Sequence, residues 1–256
     1  MRRLPLLRPL LAAAFLATAA LPAPGQEAFT GAQREAIGRI VKEYLITNPE
    51  VLQEAMTELE RRQQEVQKQA QAAALKEIRP TLLGSPRGVV VGNPAGDVTL
   101  VEFFDFNCGY CKRALSDLRT LIKGDPKLKI VLKDLPVLGP DSVEASRMAL
   151  AAKPQLSGDR LFEYHARMLE TRGRVNGERG LAVAREMGLD MARLQRDLEG
   201  PEVRAALQEN SDLSEKLGIN GTPAFVIGDE VISGAVGAEP LRVAISSIRK
   251  CGQAIC

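Results

Sequence analysis

The chain has 256 residues, with 34 Lys and Arg set against 32 Asp and Glu, and four cysteines. So even a balance gives no electrostatic reason to expect a nucleic-acid partner. Four cysteines are also too few for a disulfide scaffold at this length.

In chain order, Arg2 and Arg3 precede an almost unbroken apolar run from Leu10 to Leu21, and Ala23-Pro24-Gly25 follows with small residues. A basic start, a short apolar run and a small-residue exit predict a secretory signal over residues 1–25 and export. The run is shorter than the roughly 20 residues a spanning helix needs. Removing it takes away Arg2, Arg3 and Arg8 and no acid, so the formal charge falls from +2 to −1.

Residues 26–82 are predicted to be a helical stalk. Between Gly38 and Ile78 there is no glycine, and Pro49 is the one proline; Asn48-Pro49-Glu50 reads as a helix start. Leu52, Leu59, Val66 and Ala73 recur every seven residues, with Met56 and Ala70 on the alternate seam and Gln63 interrupting it. So narrow a stripe suits self-association through residues 29–80, a homo-oligomer, better than burial in a core. The competing reading is a solvated helix lying on its own domain. "LLGSPRG" at 82–88 reads as a linker.

From residue 83 to 256 the pattern becomes mixed. "GVVVG", "DVTLVEFFDF" and "KLKIVLKDLPV" are strand-like, and "CGYCKRALSDLRTLIK" has helical spacing. Residues 142–217 read as helices broken at Pro154, Gly173–Gly180, Gly188 and Gly200-Pro201. "TPAFVIGDEVISG" predicts a hairpin around Gly228-Asp229, and a last helix covers about 239–250. The expected class is α/β with a helical insertion.

Cys108 and Cys111 admit three readings. A zinc site would need Cys251 and Cys256 as well, on turns in polar surroundings, whereas Cys108 ends a strand that reads as buried. A plain structural bridge would not require a helix to begin at Cys108. Thiol–disulfide exchange does: Asn107 is placed to cap that helix, and its free N–H groups and dipole then favour a thiolate at Cys108. Cys111, one turn deeper, is placed to resolve the mixed disulfide. Gly109 and Tyr110 add no positive charge, which predicts a less oxidising bridge than a pair containing histidine.

"LVEFFDF" running into C-x-x-C, then a helical block, then "GTPAFVI", resembles the DsbA-type branch of exported thioredoxin-fold proteins over residues 89–250. The long N-terminal segment, "CGYC" and "DLPVLGPDS" are similar to the oligomeric ScsC-like isomerases. The resemblance implies a thioredoxin fold and no cofactor or metal. It makes Pro223 the cis-proline facing the cysteines and Thr222 the residue tuning redox behaviour. With Gly109 and Tyr110 these form the peptide-binding surface. Glu102 matches the buried acid beneath the site, with Lys133 on the next strand as its expected partner, and the two together are expected to manage the proton of Cys111. The partners implied are disulfide-containing client proteins and a DsbD-like membrane reductase, or a DsbB-like oxidase if electrons flow the other way.

The C-terminus departs from that pattern. Cys251 and Cys256 are five apart, too far for a bridge within a regular helix, so a structural disulfide there needs Gly252 to end the helix. A shuttle pair feeding Cys108 is the alternative. His165, the one histidine, is expected to be a surface or packing residue. Rivals to exchange chemistry are a Cys-ligated metal-binding scaffold and a holdase chaperone built on the helical block.

Overall fold

The computed structural model describes residues 29–256, and the secretory signal expected at residues 1–25 lies outside them. The chain divides into two compact units, one ending at Glu60 and the other spanning Arg61–Cys256.

The first unit opens with helix α1 (Gly31–Thr47). Thr30 and Gln33 cap it reciprocally, each side chain bonding the other's backbone N–H, and two helical N–H donors need no water. No residue of α1 is buried. Asn48 closes the helix onto the Tyr44 carbonyl, and Pro49 precedes helix α2 (Glu50–Gly84). Leu52, Met56 and Leu59 are all more than half exposed.

In the second unit α2 changes character. Leu75, Ile78 and Leu82, spaced three and four residues apart, are buried on one face of the sheet beside Val101, Phe103, Val131 and Val226. Gln71 donates to the Leu217 carbonyl at 2.9 Å and Arg79 to the Gly228 carbonyl at 3.2 Å. The helix therefore runs through the boundary expected at 82/83, and its last turns belong to the core of the second unit. The expected linker shrinks to the few residues after Gly84.

The sheet has strands β1 (Val89–Gly92), β2 (Val98–Phe104), β3 (Leu128–Asp134), β4 (Ala224–Ile227) and β5 (Glu230–Ser233), in spatial order β1-β3-β2-β4-β5. The β2–β3 pair is parallel and the other pairs antiparallel. Both faces of β2 are covered, and burial there is nearly continuous. Leu100 and Phe104 face helices α3 (Gly109–Gly124) and α9 (Ala238–Cys251), in a cluster with Leu118 and Leu241; Val101 and Phe103 face α2.

The insertion comprises helices α4 (Pro140–Ala152), α5 (Asp159–Leu169), α6 (Gly177–Glu186), α7 (Met191–Glu199) and α8 (Pro201–Lys216). It begins two residues earlier than expected, because Pro140 stands at the first turn of α4, where its missing N–H costs nothing.

His165 on α5 is buried between Phe104 and Phe106, with ring centroids at 4.5 and 5.6 Å. Burial pushes its pKa down to about 3, so it is a neutral packing residue at physiological pH.

Candidate active site

Strand β2 delivers the chain to Asp105, and α3 starts four residues later. Cys108 is the N-cap residue itself, in extended backbone, and accepts from the Lys112 N–H at 3.0 Å. The Cys108 side chain itself makes no capping bond to the N–H groups of that first turn. The N–H groups and dipole at a helix start favour negative charge on a group held there, and Cys108 is the side chain at that place.

Asn107 does not cap the helix, contrary to expectation. Its amide donates to the Ser142 hydroxyl at 3.0 Å and the Val175 carbonyl at 2.8 Å, and its oxygen accepts from the Val175 N–H at 2.8 Å. A carboxamide matches both backbone groups of a single residue, so Asn107 pins the loop between α5 and α6 to the start of α3. Lys112 adds a bond to the Thr171 carbonyl at 2.8 Å.

Thr222 and Pro223 meet the cysteines from the other side. Their peptide bond is cis, and the Cys108 thiol donates to the Thr222 carbonyl at 3.1 Å. Cys108 keeps 7% exposure while Cys111, one turn on, has none. Burial, and then the charge of Glu102, push the Cys111 thiol far above its ordinary range; the Asp105 N–H and the Thr222 hydroxyl offset only part of this. Both cysteines are buried, Cys108 keeping a margin of exposure, and Cys111 must lose a proton it holds tightly.

Glu102 lies on the cysteine face of β2, fully buried, with Oε2 lacking any hydrogen-bond partner. Burial first, then the charges of Cys108 and Asp117, raise its carboxyl to about 8. It is therefore protonated through much of the neutral range, a donor and acceptor beneath the sulfurs.

Lys133 is not its partner. Its backbone is level with Phe103, the neighbour of Glu102, and strand alternation sends it to the opposite face. There it pairs with Glu209 on α8 at 2.9 Å, and Glu209 also holds Arg87 at 3.2 Å. Lys133 is a buried ion-pair residue of the far side and cannot share a proton with Glu102.

The exposed rim is apolar. Tyr110 is 59% exposed, with the Arg113 guanidinium 4.2 Å over its ring, and Val137 and Leu138 are about half exposed. Gly109 leaves open space beside Cys108. The Gly234 N–H bonds the Pro223 carbonyl at 2.8 Å.

Asp105 is the residue that sequence reasoning missed. Fully buried, it accepts from the Asn107 N–H (2.8 Å), the Ser142 hydroxyl (2.7 Å) and the Val137 and Leu138 N–H groups (2.9 and 3.0 Å). One carboxylate thus joins the cysteine loop, the rim loop and α4. An acid between Phe104 and Phe106 was the available signal, because a buried carboxylate survives only with donors around it. Asp105→Ala should cost about 3 kcal/mol of stability, read as a lower urea midpoint; an unchanged midpoint removes the residue from this role.

At the other end of the domain, Cys251 and Cys256 are bridged to each other. Gly252 ends α9 at φ +80, a left-handed turn that suits a residue without a Cβ. The returning tail buries Ala254, whose N–H bonds the Asp229 carboxylate in the β4–β5 turn at 3.0 Å. With those two sulfurs joined, no four-thiolate set forms with Cys108 and Cys111.

A family profile described as a DSBA-like thioredoxin domain matches residues 99–246, more than half of the chain. The chain belongs to the DsbA-like thioredoxin family. A second profile, the N-terminal domain of the copper resistance protein ScsC, matches residues 33–65 of this DsbA-like protein. A thioredoxin-like oxidoreductase from Silicibacter pomeroyi DSS-3 is 42% identical, with a TM-score of 0.64 over 68% of this chain and 98% of that one. Salmonella enterica Typhimurium BcfH is 26% identical, at a TM-score of 0.72 over 87% and 98%. Proteus mirabilis ScsC in a transitional conformation is 28% identical, at 0.62 over 86% and 96%. Among curated relatives, the chain spans about a quarter of the length of the first it matches, Na(+)/H(+) antiporters of Salinispora that are 26% identical over 163 residues.

Proposed function

We propose that this DsbA-like chain is an exported thiol–disulfide exchange enzyme that reduces or isomerises wrong disulfides in client proteins. One observation carries the reading: the Cys108 sulfur stands at an uncapped helix start, 3.1 Å from the Thr222 carbonyl, with Cys111 buried behind it. In the first step the Cys108 thiolate attacks one sulfur of a client disulfide. A Cys108–client bond forms, the client bond breaks, and the departing thiolate takes a proton. For isomerisation a different client thiolate attacks the mixed disulfide and frees Cys108. For net reduction the Cys111 sulfur attacks Cys108, its proton relayed through the Glu102 carboxyl, which gives up its own proton as it takes that of Cys111. The Cys108–Cys111 bond forms, the Cys108–client bond breaks, the departing client thiolate takes a proton, and two electrons have moved to the client. A membrane thiol reductase of the DsbD kind then resets the pair.

The direction toward isomerisation draws support from two features. Gly109 and Tyr110 leave the pair without a cation to stabilise its reduced form strongly. The stripe of Leu52, Met56, Leu59 and Val66 stands more than half exposed, and a second copy of the helix is the occupant that its seven-residue repeat fits. Several sites facing one client raise their effective concentration on it. The signal pattern in residues 1–25 supports a periplasmic location.

Recovery of activity by a scrambled disulfide protein tests the reaction. A chain that only oxidises reduced clients belongs to the oxidase class, with a DsbB-like partner. The assembly has its own test. Leu59→Lys should reduce the native mass to that of a monomer and slow scrambled-client recovery about tenfold, while small-disulfide reduction stays unchanged. A monomeric wild type would remove the oligomer from the proposal.

A further inference from the structure

Beyond the cysteine site, the helical insertion holds a cavity of about 560 Å³ that disulfide exchange does not use. It lies between α4, the single 3-10 turn Lys153–Gln155, α5, α7 and the start of α8, closed on one side by Pro86 and Arg87. A space of that size falls in the range of small-molecule pockets. Leu150, Leu156, Leu161, Val203 and Ala206 make its walls, and each is buried. Water held there gains little from such walls, and an apolar occupant gains their area.

The polar lining narrows the occupant's chemistry. Arg87 is already committed to Glu202 and Glu209, each at 3.2 Å, and Asp197 to Arg193 at 3.5 Å, while Arg196, the remaining cation of the lining, acts on the Asp190 carboxylate. Lys153 is different. It is half-buried, its amine donates to the Pro86 carbonyl, and among the described residues no carboxylate lies within ion-pair distance of it. An ammonium with three donors and one carbonyl partner has donors to spare. Burial, and then the nearby charge of Lys133, lower the pKa of this amine, and an arriving anion would relieve that penalty. Asp197 and Glu202 in the same lining weigh against a doubly charged group such as a phosphate.

We propose that this cavity binds a small amphipathic monocarboxylate, such as a medium-chain fatty acid, with its carboxylate on Lys153 and its chain against Leu150, Leu156, Leu161 and Val203. The site is separate from the exchange cysteines, and its occupancy does not depend on their chemistry.

Calorimetric titration of the full-length chain with decanoate, decanol, decyltrimethylammonium and dodecyl phosphate tests this. Decanoate should bind saturably, one per chain. Decanol and dodecyl phosphate should bind at least tenfold more weakly, and the cationic amphiphile not at all. Lys153→Met keeps the apolar stem and removes the charge, and should weaken decanoate binding at least tenfold; Lys153→Arg should hold it within about threefold. Ala206→Phe fills the cavity without altering charge and should abolish binding in a chain whose circular dichroism is unchanged, which decides the matter even if the lysine variants misfold. No saturable decanoate binding, equal binding of decanol, or retained binding in folded Ala206→Phe each overturns the proposal. So does a neutral acetylated leucine peptide that binds as tightly as decanoate, which would assign the recess to polypeptide.

Discussion

Cys108→Ala should lose client reduction and isomerisation together, by at least about a thousandfold, as removal of a nucleophile does elsewhere. Cys108 stands at the start of α3 and keeps a margin of exposure; Cys111 is sealed beneath it with its proton held by burial. Alkylation should follow the same order, with Cys108 modified first and Cys111 only after denaturation. The partner variant gives the complementary result. Cys111→Ala keeps the attacking group and loses the resolving one, so the mixed disulfide with a client should persist and be visible as a slower band on a non-reducing gel. If Cys108→Ala recovers scrambled clients at the wild-type rate, the cysteine site is not the seat of the activity. If Cys111→Ala traps nothing while Cys108→Ala is dead, clients release by their own thiols faster than the trap forms, which is pure isomerisation.

Much of this arrangement could be read in the residues, and what could not has physical reasons. The strands stood out because β-branched and aromatic residues crowd them, and Gly228-Asp229 marked the hairpin. The insertion's helices were legible at Pro154, Gly188 and Gly200-Pro201, because those residues interrupt helices wherever they fall. Lys133 was misassigned because β2 and β3 are buried on both faces. A strand covered on both sides has no alternation to say which way a residue points, and Glu209, its true partner, lies 76 positions away. Asn107 is a good cap in any helix start, yet Val175 offered it two bonds in place of one. Leu75, Ile78 and Leu82 looked like further stalk because a helix stripe has the same spacing whether it meets a sheet or another helix. Local pattern fixes which residues seek burial; what buries them is decided by the rest of the chain.

Glu102→Gln should separate stability from turnover, because the buried carboxyl has opposite effects on the two. Its carboxyl is raised from the ordinary range to about 8 in the folded state. A group shifted upward contributes its full stability below the unfolded pKa and loses it as pH rises through the folded one. Wild-type stability should therefore decline from about pH 4.5 to pH 8, where folding must either hold a proton on Glu102 or bury its charge. Glutamine fills the same space and never ionises, so the variant should be more stable at pH 7 by about 3 kcal/mol, with the difference shrinking toward pH 5. Denaturant melts at three pH values read this directly. Turnover should move the other way. Cys111 has to give up its proton in a closed, apolar place, and Glu102 is the buried acid–base group whose charge that thiol feels. Without it the resolving step should slow by about a hundredfold at pH 7, the lower end for a positioned acid–base group, and recover as hydroxide takes over at higher pH. The Cys108 attack step, measured with a small disulfide in a Cys111→Ala background, should not change. A glutamine variant that is no more stable than wild type, yet resolves mixed disulfides as fast at pH 7, would mean that the carboxyl is charged and idle beneath the sulfurs.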